Sequence, residues 1–171
     1  MLRFRPQHSR RLAYLIGAGI CSALIGFALY LQYQLGEDPC PLCIFQRVAV
    51  IVSGIIFFLA AVHGPHARGA KVYALLIFAS SGLGAFIAIR HIWIQHLPKD
   101  LLPECGPGLS YLFDTFPFTE VLRKVLSGSG ECAALGWTFL SLSIPEWTLI
   151  CFILLMGWAW LQTQPSKDEL S

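Results

Sequence analysis

The sequence predicts an all-α membrane protein: a four-helix transmembrane bundle with a short interfacial helix in its second outer loop. Three observations predict it. The 171 residues are 56% hydrophobic and only 13% charged, against roughly 25% charged in a soluble domain. The apolar residues gather in four blocks, and the basic residues divide unequally between the segments joining them. One integral membrane domain over residues 1–171 accommodates this pattern. A net charge of +2 is too small to suggest nucleic acid, so the basic residues read as topology signals.

The first block, Leu12 to Leu31, follows a basic tail with Arg3, Arg5, Arg10 and Arg11. It has about the ~20 residues that cross a bilayer. That is long for a secretory signal, and no convincing small-residue cleavage site follows. An uncleaved span is expected. Residues 32–41 form a short loop with Glu37 and Asp38 and no lysine or arginine. The second span, 42–62, is interrupted near its start by Gln46 and Arg47. A loop with Arg68 and Lys71 leads to the third span, 72–89, which Arg90 and His91 end. Residues 92–145 are the one long loop, and the fourth span covers 144–161. Trp147, Trp158 and Trp160 suit interfacial anchoring there.

Within the long loop, Phe118, Val121, Leu122, Val125 and Leu126 recur at helical spacing opposite Thr119, Glu120, Arg123 and Lys124. Pro117 suits the first turn. This is the helix expected to lie on the membrane surface. Gly128-Ser129-Gly130 then makes a flexible joint before Cys132.

Four spans bring both termini to one side. The tails and the 63–71 loop hold seven basic residues, and the opposite loops hold Lys99, Arg123 and Lys124 over a longer stretch. Positive charge marks the cytoplasmic side. The termini are therefore expected in the cytoplasm, with Cys40, Cys43, Cys105 and Cys132 outside, where disulfides persist. Cys21 and Cys151 lie inside apolar blocks and read as small packing residues.

Cys40 and Cys43 form a Cys-x-x-Cys pair where a polar loop becomes the second span. A thiolate is stabilised near a helix N-terminus or a cation. Cys43 is expected to have both, with the helix dipole at the first turn and Arg47 at i+4 on the same face. A charge within a span costs at least ~2.5 kcal/mol at mid-bilayer, which marks Arg47 as functional. It would stabilise the Cys43 thiolate and hydrogen-bond a nearby anionic or carbonyl oxygen. Cys105 and Cys132 are a second outer pair, in turn-rich and jointed surroundings. On a mobile loop, such a pair can exchange with the first through a mixed disulfide. The chain has no Cys-x-x-Cys-His haem motif and no glycine-rich nucleotide fingerprint. A lipid-soluble quinone is the natural electron acceptor for a pair at the bilayer surface. His91 is a candidate hydrogen-bond or proton donor near that acceptor.

Taken together, these motifs resemble the disulfide bond formation protein B family, DsbB, of bacterial inner membranes. The resemblance rests on Cys40-Pro41-Leu42-Cys43 followed by Arg47, Arg90-His91-Ile92-Trp93, Cys105-Gly106, Gly128-Ser129-Gly130-Glu131-Cys132 and Ile144-Pro145-Glu146-Trp147. It implies a four-helix bundle that reoxidises the periplasmic dithiol oxidase DsbA with ubiquinone, or with menaquinone when oxygen is absent. By the same resemblance, the DsbA thiolate attacks Cys105, and Cys132 is its partner. Cys40 and Cys43 pass the electrons on, with Cys43 nearest the quinone and Arg47 and His91 beside it. DsbA is a strong oxidant, at about −120 mV, whereas structural bridges lie below about −300 mV. At least one bridge here is therefore expected to be strained or to have a stabilised reduced form.

The residues also allow an extracytoplasmic zinc protein built on the four loop cysteines, which predicts stoichiometric metal and free thiols after chelation. A structural or assembly protein with stapled loops predicts that Cys40→Ser leaves function intact. A reductase similar to the vitamin K epoxide reductase family also uses a membrane Cys-x-x-Cys. The early position of the pair, at the second span, favours DsbB.

Overall fold

Hydrocarbon offers no partner for a peptide N–H or C=O, so an apolar segment crossing it satisfies its backbone internally as a helix. The computed structural model, which describes residues 7–98, 111, 114–127, 130–133 and 136–163, follows this rule. Among the described residues, four helices are long and apolar enough to cross a membrane: α1 (Gln7–Leu35), α2 (Pro41–His63), α3 (Ala67–Gln95) and α6 (Ile144–Leu161). Between α3 and α6 lie α4 (Phe118–Ser127), α5 (Gly130–Ala133) and a hairpin of β1 (Thr138–Phe139) and β2 (Leu142–Ser143).

Local chemistry sets the ends. Pro41 occupies the first turn of α2, where its missing N–H is no loss. Gly64 closes α2 in the left-handed conformation at φ 57°, and its N–H reaches the Ala60 carbonyl at 2.9 Å. At α6, the Glu146 carboxylate accepts the Ser143 N–H at 2.5 Å, within a capping box.

Close packing relies on small residues, as in other membrane bundles. Ala49, Ala60, Ala74, Ala85 and Ala88 are buried. A Cβ at Gly17 would stand 2.7 Å from the Phe57 ring, and one at Gly84 would run into the ring of Phe152. Ser53 bridges α2 to α3 through Ser80 at 2.8 Å and Ser81 at 3.1 Å. Leu75, Leu83, Phe58 and Leu154 point outward and are more than half exposed, which suits lipid.

Three features differ from the sequence reading, and the short helix of the long loop forms where expected with one added detail. α1 runs on to Leu35 instead of stopping at Leu31. α3 continues through Arg90 and His91 to Gln95, because nothing there breaks a helix and Ile94 is fully buried. The short helix α4 buries Val121 and Val125 in a cluster with Leu42, Ile87 and Ile94, so that part of its apolar face seats on the bundle. The hairpin pairs Thr138 with Ser143 and Phe139 with Leu142. Its turn holds Leu140 and Ser141 at φ 52° and 64°, without the Asn-Gly signal of such turns. Cys105, Gly128 and Ser129 lie outside the described residues.

Gly84→Val is expected to destabilise the bundle by about 1–3 kcal/mol through overpacking against Phe152. Thermal unfolding in detergent micelles checks this, with the outward-facing Leu83→Val as the control.

Candidate active site

The site begins with a helix cap. Cys40 stands at the N-cap of α2 in an extended conformation, φ −64° and ψ 162°. Its sulfur accepts the Cys43 N–H at 3.4 Å, satisfying one of the first-turn donors that a helix leaves unpaired. This cap and the three-residue spacing bring the two unbonded sulfurs to 3.3 Å. Cys40 is buried and Cys43 half-buried.

One turn further on, Arg47 is half-buried and held against α1. It donates to Gln32 Oε1 at 2.5 Å and to the Ala28 carbonyl at 3.1 Å. A charge-assisted pair of this kind fixes a long side chain that would otherwise be free to snorkel. Arg47 also lies within electrostatic reach of Cys43.

His91 arrives from α3 and is buried at the centre of the group. Nε2 lies 3.1 Å from the Cys132 carbonyl and Nδ1 lies 3.2 Å from the Gln46 amide nitrogen. A carbonyl only accepts, so Nε2 donates and Nδ1 receives the Gln46 N–H. Nε2 is also 3.8 Å from Cys40 Sγ, and Nδ1 is 3.9 Å from Cys43 Sγ. Cys132, in α5, is buried beside Cys40. The ligating atoms of Cys40, His91 and Cys132 lie within 4.8 Å of one another.

A cleft of about 630 Å³ reaches this group and is lined by Cys40, Cys43, Gln46, Arg47 and His91. Its apolar walls come from α1 (Leu24, Ile25, Ala28), α2 (Val50) and α6 (Ile144, Thr148, Cys151). Trp137 and Phe139 stack at 5.8 Å over its mouth, with Phe27 edge-on to Trp137 at 5.6 Å. The Trp147 indole N–H fixes the hairpin by donating to the Phe139 carbonyl at 3.1 Å.

Of the residues singled out from sequence, the structure brings together Cys40, Cys43, Arg47, His91 and Cys132. Cys105 lies outside the described residues. Cys21 packs against Gly54 in the bundle, whereas Cys151 lines the cleft. Sequence reading missed the partners Gln32 and Gln46 and the aromatic mouth. For Gln46 a signal exists, since a polar amide inside an apolar span needs a buried partner.

The DsbB family profile, described as disulfide bond formation protein DsbB, matches residues 10–162. Curated relatives carry the name disulfide bond formation protein B. The Methylococcus capsulatus protein is 49% identical over 154 residues, 90% of this chain and 94% of the relative. The Chromobacterium violaceum protein is 47% identical over 90% of this chain and 93% of its own. The Hahella chejuensis protein is 52% identical over 77% and 80%. A cysteine pair capping a membrane helix, a third cysteine beside it and similarity over nine-tenths of the chain converge on one assignment: this chain belongs to the DsbB family of disulfide bond formation proteins.

Proposed function

We propose that the chain is a quinone-dependent protein-dithiol oxidase, which accepts an electron pair from a DsbA-like periplasmic dithiol and delivers it to the membrane quinone pool. Family membership carries the coarser statement, an oxidoreductase of disulfide bond formation in a multi-pass membrane protein. The finer reading is supported above all by one observation. Cys43, Arg47 and His91 line the same apolar cleft, of about 630 Å³, at the end of a membrane bundle.

The thiol chemistry balances within the chain's own residues. The dithiol donor reduces Cys105–Cys132. The Cys132 thiolate attacks Cys40 of a Cys40–Cys43 disulfide, so a Cys132–Cys40 bond forms and Cys43 leaves with the electron pair. The position of Cys132 beside Cys40 supports this order. Cys105 then attacks Cys132, restoring the loop disulfide and releasing Cys40. One pair has been oxidised and the other reduced. Cys43 is the better leaving group, because the Arg47 cation lies within its electrostatic reach. When bound, the quinone supplies the sink, taking two electrons and two protons as Cys40 and Cys43 return to the disulfide. Residues suited to hold it are Arg47, as donor to a ring oxygen, and Leu24, Ile25 and Val50, as apolar wall. Ubiquinone fits this description, and menaquinone is the alternative without oxygen.

The excess of basic residues in the tails and the 63–71 loop supports cytoplasmic termini and a periplasmic site in a bacterial inner membrane.

Two outcomes are expected in a quinone-reduction assay with reduced DsbA-like donor and a water-soluble ubiquinone analogue. Cys43→Ser abolishes turnover. Arg47→Ala raises the quinone KM by about 10–100-fold, the worth of a hydrogen bond from a charged donor. Absence of turnover in the wild type with any dithiol donor overturns the oxidase reading. Ile25→Trp, which fills the cleft, is expected to raise the quinone KM by about tenfold, a loss near 1.4 kcal/mol. Single-turnover exchange with the dithiol donor should be unchanged, as followed by thiol trapping.

A further inference from the structure

We propose that the fully reduced centre is also a soft-metal site, in which Cys40, Cys43, Cys132 and His91 hold one zinc-class divalent cation that arrests the disulfide cycle. The inference rests on the reading that these cysteines pass through a dithiol state.

The geometry carries the proposal. Zinc binds thiolate sulfur at about 2.3 Å and imidazole nitrogen at about 2.0–2.1 Å in a tetrahedron, which places ligand atoms about 3.6–3.8 Å apart. Cys40 Sγ and His91 Nε2 are 3.8 Å apart, and Cys40 and Cys43 Sγ are 3.3 Å apart. The ligand atoms of Cys40, His91 and Cys132 all lie within 4.8 Å of one another, and Cys43 joins that trio as the fourth ligand through its 3.3 Å approach to Cys40. Thiol–disulfide exchange alone requires only the sulfurs. The imidazole nitrogen at ligand spacing is the additional feature.

The surroundings also suit a metal. A ligating histidine usually gives its other ring nitrogen to a polar partner that fixes the ring. Gln46 occupies that position at 3.2 Å from Nδ1. Turning its amide would offer the oxygen to an Nδ1–H once Nε2 binds metal. The cleft gives an entry path to Cys40, Cys43 and His91. Three thiolates on a divalent ion leave one negative charge, within reach of Arg47.

Binding releases three thiol protons and involves no electron transfer. A sulfur in a disulfide has no thiolate to give, so the oxidised centre excludes the metal. Conversely, a metallated centre cannot close its disulfide.

The test uses the full chain in detergent micelles, reduced with a phosphine and titrated anaerobically with Co²⁺, followed by Zn²⁺ competition. The expected result is one Co²⁺ per chain with thiolate charge-transfer and tetrahedral d–d bands, displaced by Zn²⁺ and absent from oxidised protein. Gln46→Leu should weaken affinity by about 10–100-fold while Gln46→Glu retains most of it, as for other outer-shell partners. His91→Ala should weaken binding at least as much and alter the d–d bands. Absence of thiolate bands at stoichiometric Co²⁺, or unchanged affinity and bands in His91→Ala, overturns the proposal. The quinone assay on the same preparation separates the two readings. Turnover without metal binding overturns this inference alone. Metal binding without turnover upholds it and removes the oxidase. Where both hold, stoichiometric Zn²⁺ should stop turnover and a chelator should restore it.

Discussion

The first turn of a membrane helix carries N–H groups that hydrocarbon cannot satisfy, and in α2 a sulfur meets part of that need. Cys40 Sγ receives the Cys43 N–H at 3.4 Å. Pro41, next in the chain, has no N–H to satisfy. The cap therefore does structural and chemical work with the same atom. It starts the helix, sets two sulfurs at 3.3 Å and places them where the span leaves the apolar phase. Arg47, one turn deeper, inherits its position from this start.

The remainder of the bundle supplies what the cap lacks. α1 packs on α2, and α6 packs on α3, so the first and last spans need not close on each other along their whole length. The Trp158 indole N–H reaches the Ala13 carbonyl at 2.9 Å and ties α1 to α6 near the chain ends. Towards the cysteines, the cleft occupies the space between them, under the aromatic hairpin. Serines 53, 80 and 81 hold α2 and α3 in register, while the close glycine contacts join α1 to α2 and α3 to α6. That register brings His91 beside a cysteine pair 48 to 51 residues away in sequence.

Much of this was legible in the chain. The four spans appear because apolar blocks and polar joints differ sharply in composition, and Cys40, Cys43 and Arg47 stand together because helical spacing alone relates them. His91 was legible as a candidate but not as a centre, since its partners Gln46, Cys40 and Cys132 come from elements that only tertiary packing unites. The end of α3 was misjudged because hydropathy falls at Arg90, whereas the helix needs only backbone bonds and a buried Ile94 to continue. The hairpin was invisible, with two residues per strand and a Leu-Ser turn. Gln32 could not be identified as a partner, because nothing local says which acceptor an arginine on a neighbouring helix will take.

The spans also differ in length. At 1.5 Å per residue, the 29 residues of α3 measure about 44 Å and the 18 of α6 about 27 Å. A hydrocarbon core is roughly 30 Å thick. α6 falls about 3 Å short of that core, while α3 must tilt or project. Mismatch costs only fractions of a kcal/mol per Å, but here it falls on helices that meet at one cluster of cysteines and histidine. α6 lines the cleft and α3 carries His91, so the tilt that each helix takes in a bilayer bears on how the cleft wall stands against the imidazole. Acyl-chain length is thereby expected to tune the geometry around the cysteines, since thin and thick bilayers favour different tilts of α3.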